Sequence, residues 1–126
     1  MNAPNVSPQL FEQVFLACYE FAGMLLGERK TRRICHDSYM ALLPYFYHLN
    51  RFDFSAKNKL DVLIAEPGDN EVLAFAVWMQ LFLRYMQNEL AGLDAVDIRI
   101  LTGEYALDLE PTNFYDYYNH AAELQY

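Results

Sequence analysis

The tripeptide Cys35-His36-Asp37 brings together a potential nucleophile, a potential base and potential metal ligands. It follows a basic run, and neighbouring cations lower the pKa of a thiol and so make a cysteine reactive. No glycine-rich loop that would bind an oxyanion accompanies it, and the chain has no Gly-x-Ser-x-Gly motif. Adjacent Cys and His side chains point to different sides of a helix, and no Cys-x-x-Cys or His-x-x-x-His spacing is present. We therefore predict no enzymatic activity, no metal site and no cofactor.

A second chemical feature is the basic patch, defined as Arg29, Lys30, Arg32 and Arg33, which holds four of the nine basic residues of the chain. These side chains could bind a phosphate or an acidic surface. They could also neutralise the acidic C-terminal part, either within the molecule or across a homodimer. Because the patch follows a predicted helix C-terminus, where exposed carbonyl groups favour cations, the simplest interpretation is a solvated loop.

The C-terminal part, residues 94–126, carries seven acidic residues against Arg99 alone, a local charge of −6 out of −8 for the chain. It is also rich in tyrosine. Carboxylates steer a basic partner, and tyrosines supply rigid contact area. The i, i+3, i+4 spacing of these rings would equally suit docking of the last helix on the core. We predict a partner-binding surface formed by Asp108, Glu110, Tyr115, Asp116, Tyr117 and Tyr118.

These features predict a small non-enzymatic interaction protein that binds a basic partner protein, such as an adaptor, chaperone, immunity protein or inhibitor. One alternative is a nucleic-acid mimic that occupies a DNA- or RNA-binding protein. Another is a helical protein that binds a small apolar ligand, with a pocket lined by Met24, Trp78, Met79 and Met86. Direct binding to nucleic acid or to an anionic membrane is not expected at a net charge of −8.

Length and composition predict one domain over residues 1–126, because 126 residues with 54% apolar content can bury a sizeable core. Residues 1–6 are predicted to be flexible and contain no secretory signal. Only two cysteines are present, and Cys18 lies in an apolar run typical of a buried thiol. A reducing, cytoplasmic location without a disulfide is therefore expected.

Two strongly apolar segments must form the core that positions these residues. Residues 70–91 place apolar side chains almost all round a helix, with Asp69 or Asn70 as N-cap and Gly92 as terminator. The segment 8–26 has the same helical period and begins with Ser7-Pro8, a hydroxyl cap followed by proline. The predicted fold class is mainly α, a bundle of about four to six helices.

The remaining segments are less regular. A helix that starts at Asp37 should break at Pro44, and a last helix should cover 113–124. Residues 60–65 fit a helix or a strand equally well. Residues 95–109 alternate apolar and charged side chains, which predicts a short β-hairpin and keeps an α+β fold as the alternative. A helix is the competing interpretation of this segment, because Leu93, Val96, Ile100 and Leu101 also lie on one helical face.

Overall fold

The computed structural model describes residues 6–54 and 59–123, and the predicted mainly-α fold class is confirmed there. Within these residues the predicted range of four to six helices is met by six α-helices, α1 (Pro8–Leu26), α2 (Glu28–Leu42), α3 (Asp69–Asn88), α4 (Ile98–Leu101), α5 (Ala106–Leu109) and α6 (Phe114–Ala121). Two short strands, β1 (Phe52–Asp53) and β2 (Asp61–Val62), pair as an antiparallel sheet. Three 3-10 segments complete the secondary structure of the described residues, Tyr47–Arg51, Gly103–Tyr105 and Glu110–Thr112.

The central helix is α3, as the sequence predicts. All residues from 74 to 83 are buried, because α1, α2 and α6 pack around it. Its cap differs from the prediction: Gly68 is the N-cap, and the Glu71 carboxylate accepts a 2.8 Å hydrogen bond from the Gly68 N–H. Neither Asp69 nor Asn70 caps the helix, because both already lie in its first turn. The helix ends at Asn88, three residues before the predicted end.

Helix α1 has the predicted bounds. The Ser7 hydroxyl accepts a 3.2 Å hydrogen bond from the Gln9 N–H, and Pro8 occupies the first helical position. Gly27 ends the helix with a φ of 84°, a conformation that glycine adopts without the cost of a Cβ. Of the predicted flexible segment 1–6 only Val6 is described, and it is buried, with its N–H donating to the Pro67 carbonyl at 3.1 Å.

The basic patch, for which the sequence predicted a loop, lies in helix α2. This helix begins at Glu28 rather than at Asp37. A single residue, Gly27, separates α1 from α2, and the Thr31 hydroxyl donates to its carbonyl at 2.8 Å. The helix ends at Leu42, two residues before Pro44, so the predicted break is confirmed.

The β-hairpin predicted at 95–109 is wrong in position. The sheet instead pairs Phe52 with Val62 and Asp53 with Asp61. Thus the segment 60–65, which fitted a helix or a strand, contributes the strand β2.

Residues 95–109 form short helical turns instead of strands. The Asp97 carboxylate accepts hydrogen bonds from the N–H groups of Arg99 at 2.9 Å and Ile100 at 3.3 Å, and so caps α4. Thr102 and Gly103 interrupt the helical path, and 3-10 and α turns follow. The apolar and charged alternation is therefore not a half-buried strand face.

Helix α6 docks on α3 through polar as well as apolar contacts. The Arg84 guanidinium of α3 donates to the carbonyl groups of Ala121 at 3.2 Å and Ala122 at 3.4 Å, at the C-terminus of α6, where a cation is favoured. At the N-terminus of α3, Asp69 Oδ1 accepts a 2.7 Å hydrogen bond from the Tyr117 hydroxyl of α6. Phe114 packs on Phe75 of α3 with 6.1 Å between ring centroids, and Tyr115 and Tyr118 of α6 are also buried.

We expect Asn113→Ala to unfold at a lower urea concentration than Asn113→Gly, with a difference of about 1 kcal/mol in the free energy of unfolding. Asn113 has a φ of 69°, a left-handed conformation in which a Cβ is strained. Both variants lose the asparagine amide, so their difference isolates the backbone effect. Equal urea midpoints would show that the turn before α6 relaxes without cost.

Candidate protein-binding groove

Helix α4 and the chain that leads into it form a groove against α1. The groove encloses about 280 Å³ and has mostly apolar walls. We call it the acidic groove, and it is lined by Phe21, Leu93, Asp94, Ala95, Val96, Asp97, Ile100 and Leu101. Both of its carboxylates, Asp94 and Asp97, are exposed.

Hydrogen bonds from the core hold the groove wall in place. The Gln87 side chain of α3 donates to the Asp94 carbonyl at 3.2 Å. At the far end, the Thr102 hydroxyl donates to the Ile98 carbonyl at 2.6 Å and lies 2.8 Å from the Tyr115 hydroxyl. Since the threonine proton is used by Ile98, Tyr115 is the donor in the second bond. The groove wall is therefore held by an exposed hydrogen bond at one end and by the buried Thr102 and Tyr115 hydroxyls at the other.

The same short helix points one isoleucine inward and one outward. Ile98 is buried in the core, whereas Ile100 is 79% exposed at the groove. On α1, Leu25 lies one turn beyond Phe21 on the same helical face and is also exposed. An exposed apolar surface bordered by carboxylates is the chemistry of a binding site for a partner that presents both apolar and basic side chains.

Arg99 lies on α4 beside the groove and brings three of the predicted partner-binding residues together. Its guanidinium forms an ion pair with Glu110 and lies 4.2 Å from the centroid of the Tyr115 ring. The Glu110 carboxylate is the main cause of a raised Arg99 pKa, and Asp116 contributes to it. Glu110, Tyr115 and Asp116 thus surround one arginine, so only part of the predicted acidic charge is available to a partner.

The predicted role of the tyrosines as contact area needs correction. Tyr115 is 2% exposed and Tyr118 is also buried, so neither can offer its ring to a partner. Tyr117 is partly buried and donates its hydroxyl to Asp69. The docking interpretation of their helical spacing therefore describes these rings better. Asp108 is exposed but lines a different groove, against the N-terminal part of α1.

All four residues of the basic patch are exposed on α2. Lys30 lies 3.9 Å and Arg33 lies 3.6 Å from carboxylate oxygens of Glu89, just beyond the end of α3. Among the described residues, these ion pairs therefore join the patch to α3 and not to the acidic C-terminal part.

The cysteine hypothesis is contradicted by burial. Cys18 and Cys35 are free thiols and completely buried. Burial raises the pKa of Cys18 to about 12 and raises the pKa of Cys35 as well, so the arginines near Cys35 in sequence do not activate it. His36 is exposed, and His48 stacks on Tyr47 with 4.2 Å between ring centroids. In residues 6–54 and 59–123, no three potential metal ligands of the His, Cys, Asp or Glu type come together.

The four residues proposed to line an apolar pocket do not share one. Trp78, Met79 and Met86 are completely buried, whereas Met24 is 84% exposed. Trp78 is packed against the rings of Phe15, Tyr39, Phe52, Phe54 and Phe75. These side chains form the core.

The sequence contained one signal for the acidic groove that the hairpin prediction passed over. Asp97 precedes an apolar segment in the manner of an N-cap, and a helical turn there would have placed Ile98 and Ile100 on different sides. No signal in the sequence could have paired Phe21 of α1 with this segment, because the two are brought together only by the tertiary fold.

Comparison with protein-family models, curated proteins and solved structures finds no match to this chain. In the described part of the chain, no helix has the length and apolar character needed to cross a membrane. Function is therefore inferred from the chemistry of the surface.

Proposed function

We propose that this protein is a non-enzymatic interaction module that binds a basic partner protein in the acidic groove. The observation that carries the proposal is the exposed Ile100 beside the carboxylates of Asp94 and Asp97 on a wall anchored to the core. A partner would insert an apolar side chain between Phe21 and Ile100 and place Lys or Arg side chains next to the two carboxylates.

The energetics favour this arrangement. Full burial of a side chain such as isoleucine contributes about 1.5–3 kcal/mol, enough to make Ile100 a binding hot spot. Exposed carboxylates add little affinity, but they accelerate association with a basic partner and select against acidic ones. The chain charge of −8 acts in the same direction. Because hydrogen bonds already fix the groove wall, the wall loses little conformational entropy when a partner binds.

The first test is affinity capture from the cells that produce the protein, at low and moderate salt, with quantitative mass spectrometry. The variant is Asp94→Asn/Asp97→Asn/Ile100→Ser. Asparagine is also a good N-cap, so the turn at Asp97 is retained while its charge is removed. We expect one stoichiometric partner with a basic surface, and a loss of at least about tenfold in its capture by the variant, which corresponds to about 1.4 kcal/mol.

The matched control is Asp37→Asn/Glu66→Gln/Leu63→Ser. It also removes two exposed carboxylates and one exposed apolar side chain, but at sites outside the acidic groove. This control should capture the partner as well as the unmodified protein does. Recovery of the bait alone, or equal loss in both variants, would contradict the proposal.

A further inference from the structure

A second cleft lies on α2, on residues that the acidic groove does not use. It encloses about 370 Å³, within the range of small-molecule sites, between α2 and the end of β1. The α2 wall supplies Arg32, His36, Tyr39 and Met40, and the opposite wall supplies Phe52, Asp53 and Phe54. Cationic and aromatic groups therefore face the same space.

The α2 side of the cleft combines one cation, Arg32, with an imidazole one helical turn away. Arg32 and His36 are separated by four positions, so their side chains lie on one face of α2. Burial raises the pKa of Tyr19, and the Arg32 guanidinium opposes this rise, so the guanidinium lies next to that hydroxyl. Tyr19 is itself in the core. Arg29 and Arg33, exposed on the same helix, add positive potential.

The aromatic side is continuous with the core. The Phe54 ring centroid lies 6.2 Å from that of His36, 5.6 Å from that of Tyr39 and 5.4 Å from that of Trp78. The Tyr39 hydroxyl is within donor distance of the carbonyl groups of Leu49, at 2.8 Å, and Phe52, at 3.2 Å. Its proton is therefore used inside the protein, and the ring is what Tyr39 contributes to the cleft.

These groups select the chemistry of a ligand. A guanidinium matches a carboxylate with two parallel hydrogen bonds, and aromatic walls match a planar ring. Asp53 on the opposite wall places a carboxylate at the cleft, so a ligand with one negative charge fits better than a ligand with two. We propose that this cleft binds a small aromatic monocarboxylate, with its carboxylate on Arg32 and His36 and its ring against Phe54 and Tyr39. This proposal does not depend on the proposed function, because the two sites share no residue.

The test is a titration of the full chain followed by two-dimensional ¹H–¹⁵N NMR. The probes are phenylacetate, its neutral isostere phenylacetamide and the cation phenethylamine. Phenylacetate should shift the amide signals of α2 and residues 52–54 and fit a single site with a Kd in the millimolar range. Phenylacetamide should bind at least about fivefold more weakly, and phenethylamine should produce no saturable shift. Stronger or equal binding of either one would overturn the proposal, as would the absence of saturable binding of phenylacetate.

Two arginine variants with the same charge change separate a site from general attraction. Arg32→Gln should weaken phenylacetate binding at least about tenfold. Arg29→Gln lies one turn away on α2, outside the cleft lining, and should change the Kd by less than about twofold. Both arginines are exposed, so neither variant should unfold, which the NMR spectra verify directly. Equal weakening by both variants would overturn the assignment of the carboxylate to Arg32.

Discussion

Trp78→Ala should lower the free energy of unfolding by about 3–5 kcal/mol, among the largest effects expected of a single substitution in this chain. Trp78 is 0% exposed at the middle of α3 and contacts aromatic rings from α1, α2, β1 and α3 itself. Alanine would leave a cavity between elements that cannot all move inward. Since small domains are stable by about 5–15 kcal/mol, much of the total stability would be lost. Urea unfolding followed by circular dichroism would measure this loss.

Trp78→Phe is the matched variant. It keeps most of the aromatic volume and removes the indole N–H, which lies 3.2 Å from the Ser38 hydroxyl. That hydroxyl still donates to the Cys35 carbonyl at 2.9 Å, so no buried donor is left unsatisfied. A loss of about 1–2 kcal/mol is expected. Leu107→Ala, at a side chain 91% exposed, should change stability by less than about 0.5 kcal/mol. A Trp78→Ala cost as small as that of Leu107→Ala would show that the core is not organised around this residue.

The long helices were predictable because their signals agree at several levels. Ser7, Pro8 and Gly27 mark the two ends of α1, and the apolar period between them is unbroken. The start of α2 was not predictable from the same rules. Gly27 serves both helices, and the basic patch has no apolar period, so nothing in its side chains distinguishes a helical turn from a loop.

The C-terminal part shows where local pattern fails. Alternation of apolar and charged residues predicts a half-buried strand only if all apolar residues face inward. Here Ile98 is buried, whereas Ile100 and Leu107 are exposed, so the pattern was not a burial pattern. Four-residue helices such as α4 and α5 depend on contacts with the rest of the fold, and α4 also on its Asp97 cap. Sequence periodicity cannot detect such short elements.

The acids and the tyrosines of the predicted partner-binding surface differ in exposure. The seven acids at positions 94–123 are all exposed, as expected from their charge. The rings among them are drawn inward, because burial of an aromatic side chain contributes more than its exposure on a monomer surface. Tyr115, for example, is buried, and the face of its ring packs against the guanidinium of the exposed Arg99. The tyrosines thus position the acidic surface and do not form it.

The second large effect is a steep loss of stability in alkaline solution. Burial raises the pKa of Cys18 from an ordinary 9.0 to about 12 and raises the pKa of Cys35. Below pH 9 the thiols are protonated in both the folded and the unfolded chain. Between about pH 9 and 12 the unfolded chain releases protons that the folded chain keeps, so the free energy of unfolding falls as the pH rises. Each thiol contributes a slope of up to about 1.4 kcal/mol per pH unit.

Urea unfolding from pH 7.5 to 10.5 in the presence of a reducing agent measures this slope, with Cys18→Ala/Cys35→Ala as the comparison. Burial also raises the pKa of Tyr118 and Tyr39, so these tyrosines destabilise both proteins at high pH, and the contribution of Cys18 to the Tyr118 pKa is part of the difference between the two slopes. Two buried thiols predict that the unmodified protein has the steeper slope, by up to about 3 kcal/mol per pH unit above pH 9. Equal slopes would mean that the thiolates are accommodated in the folded state, and Cys35 would then regain its potential as a reactive group. Because both thiols lie between α1 and α2, against the central helix, this measurement reports directly on how tightly those helices exclude water.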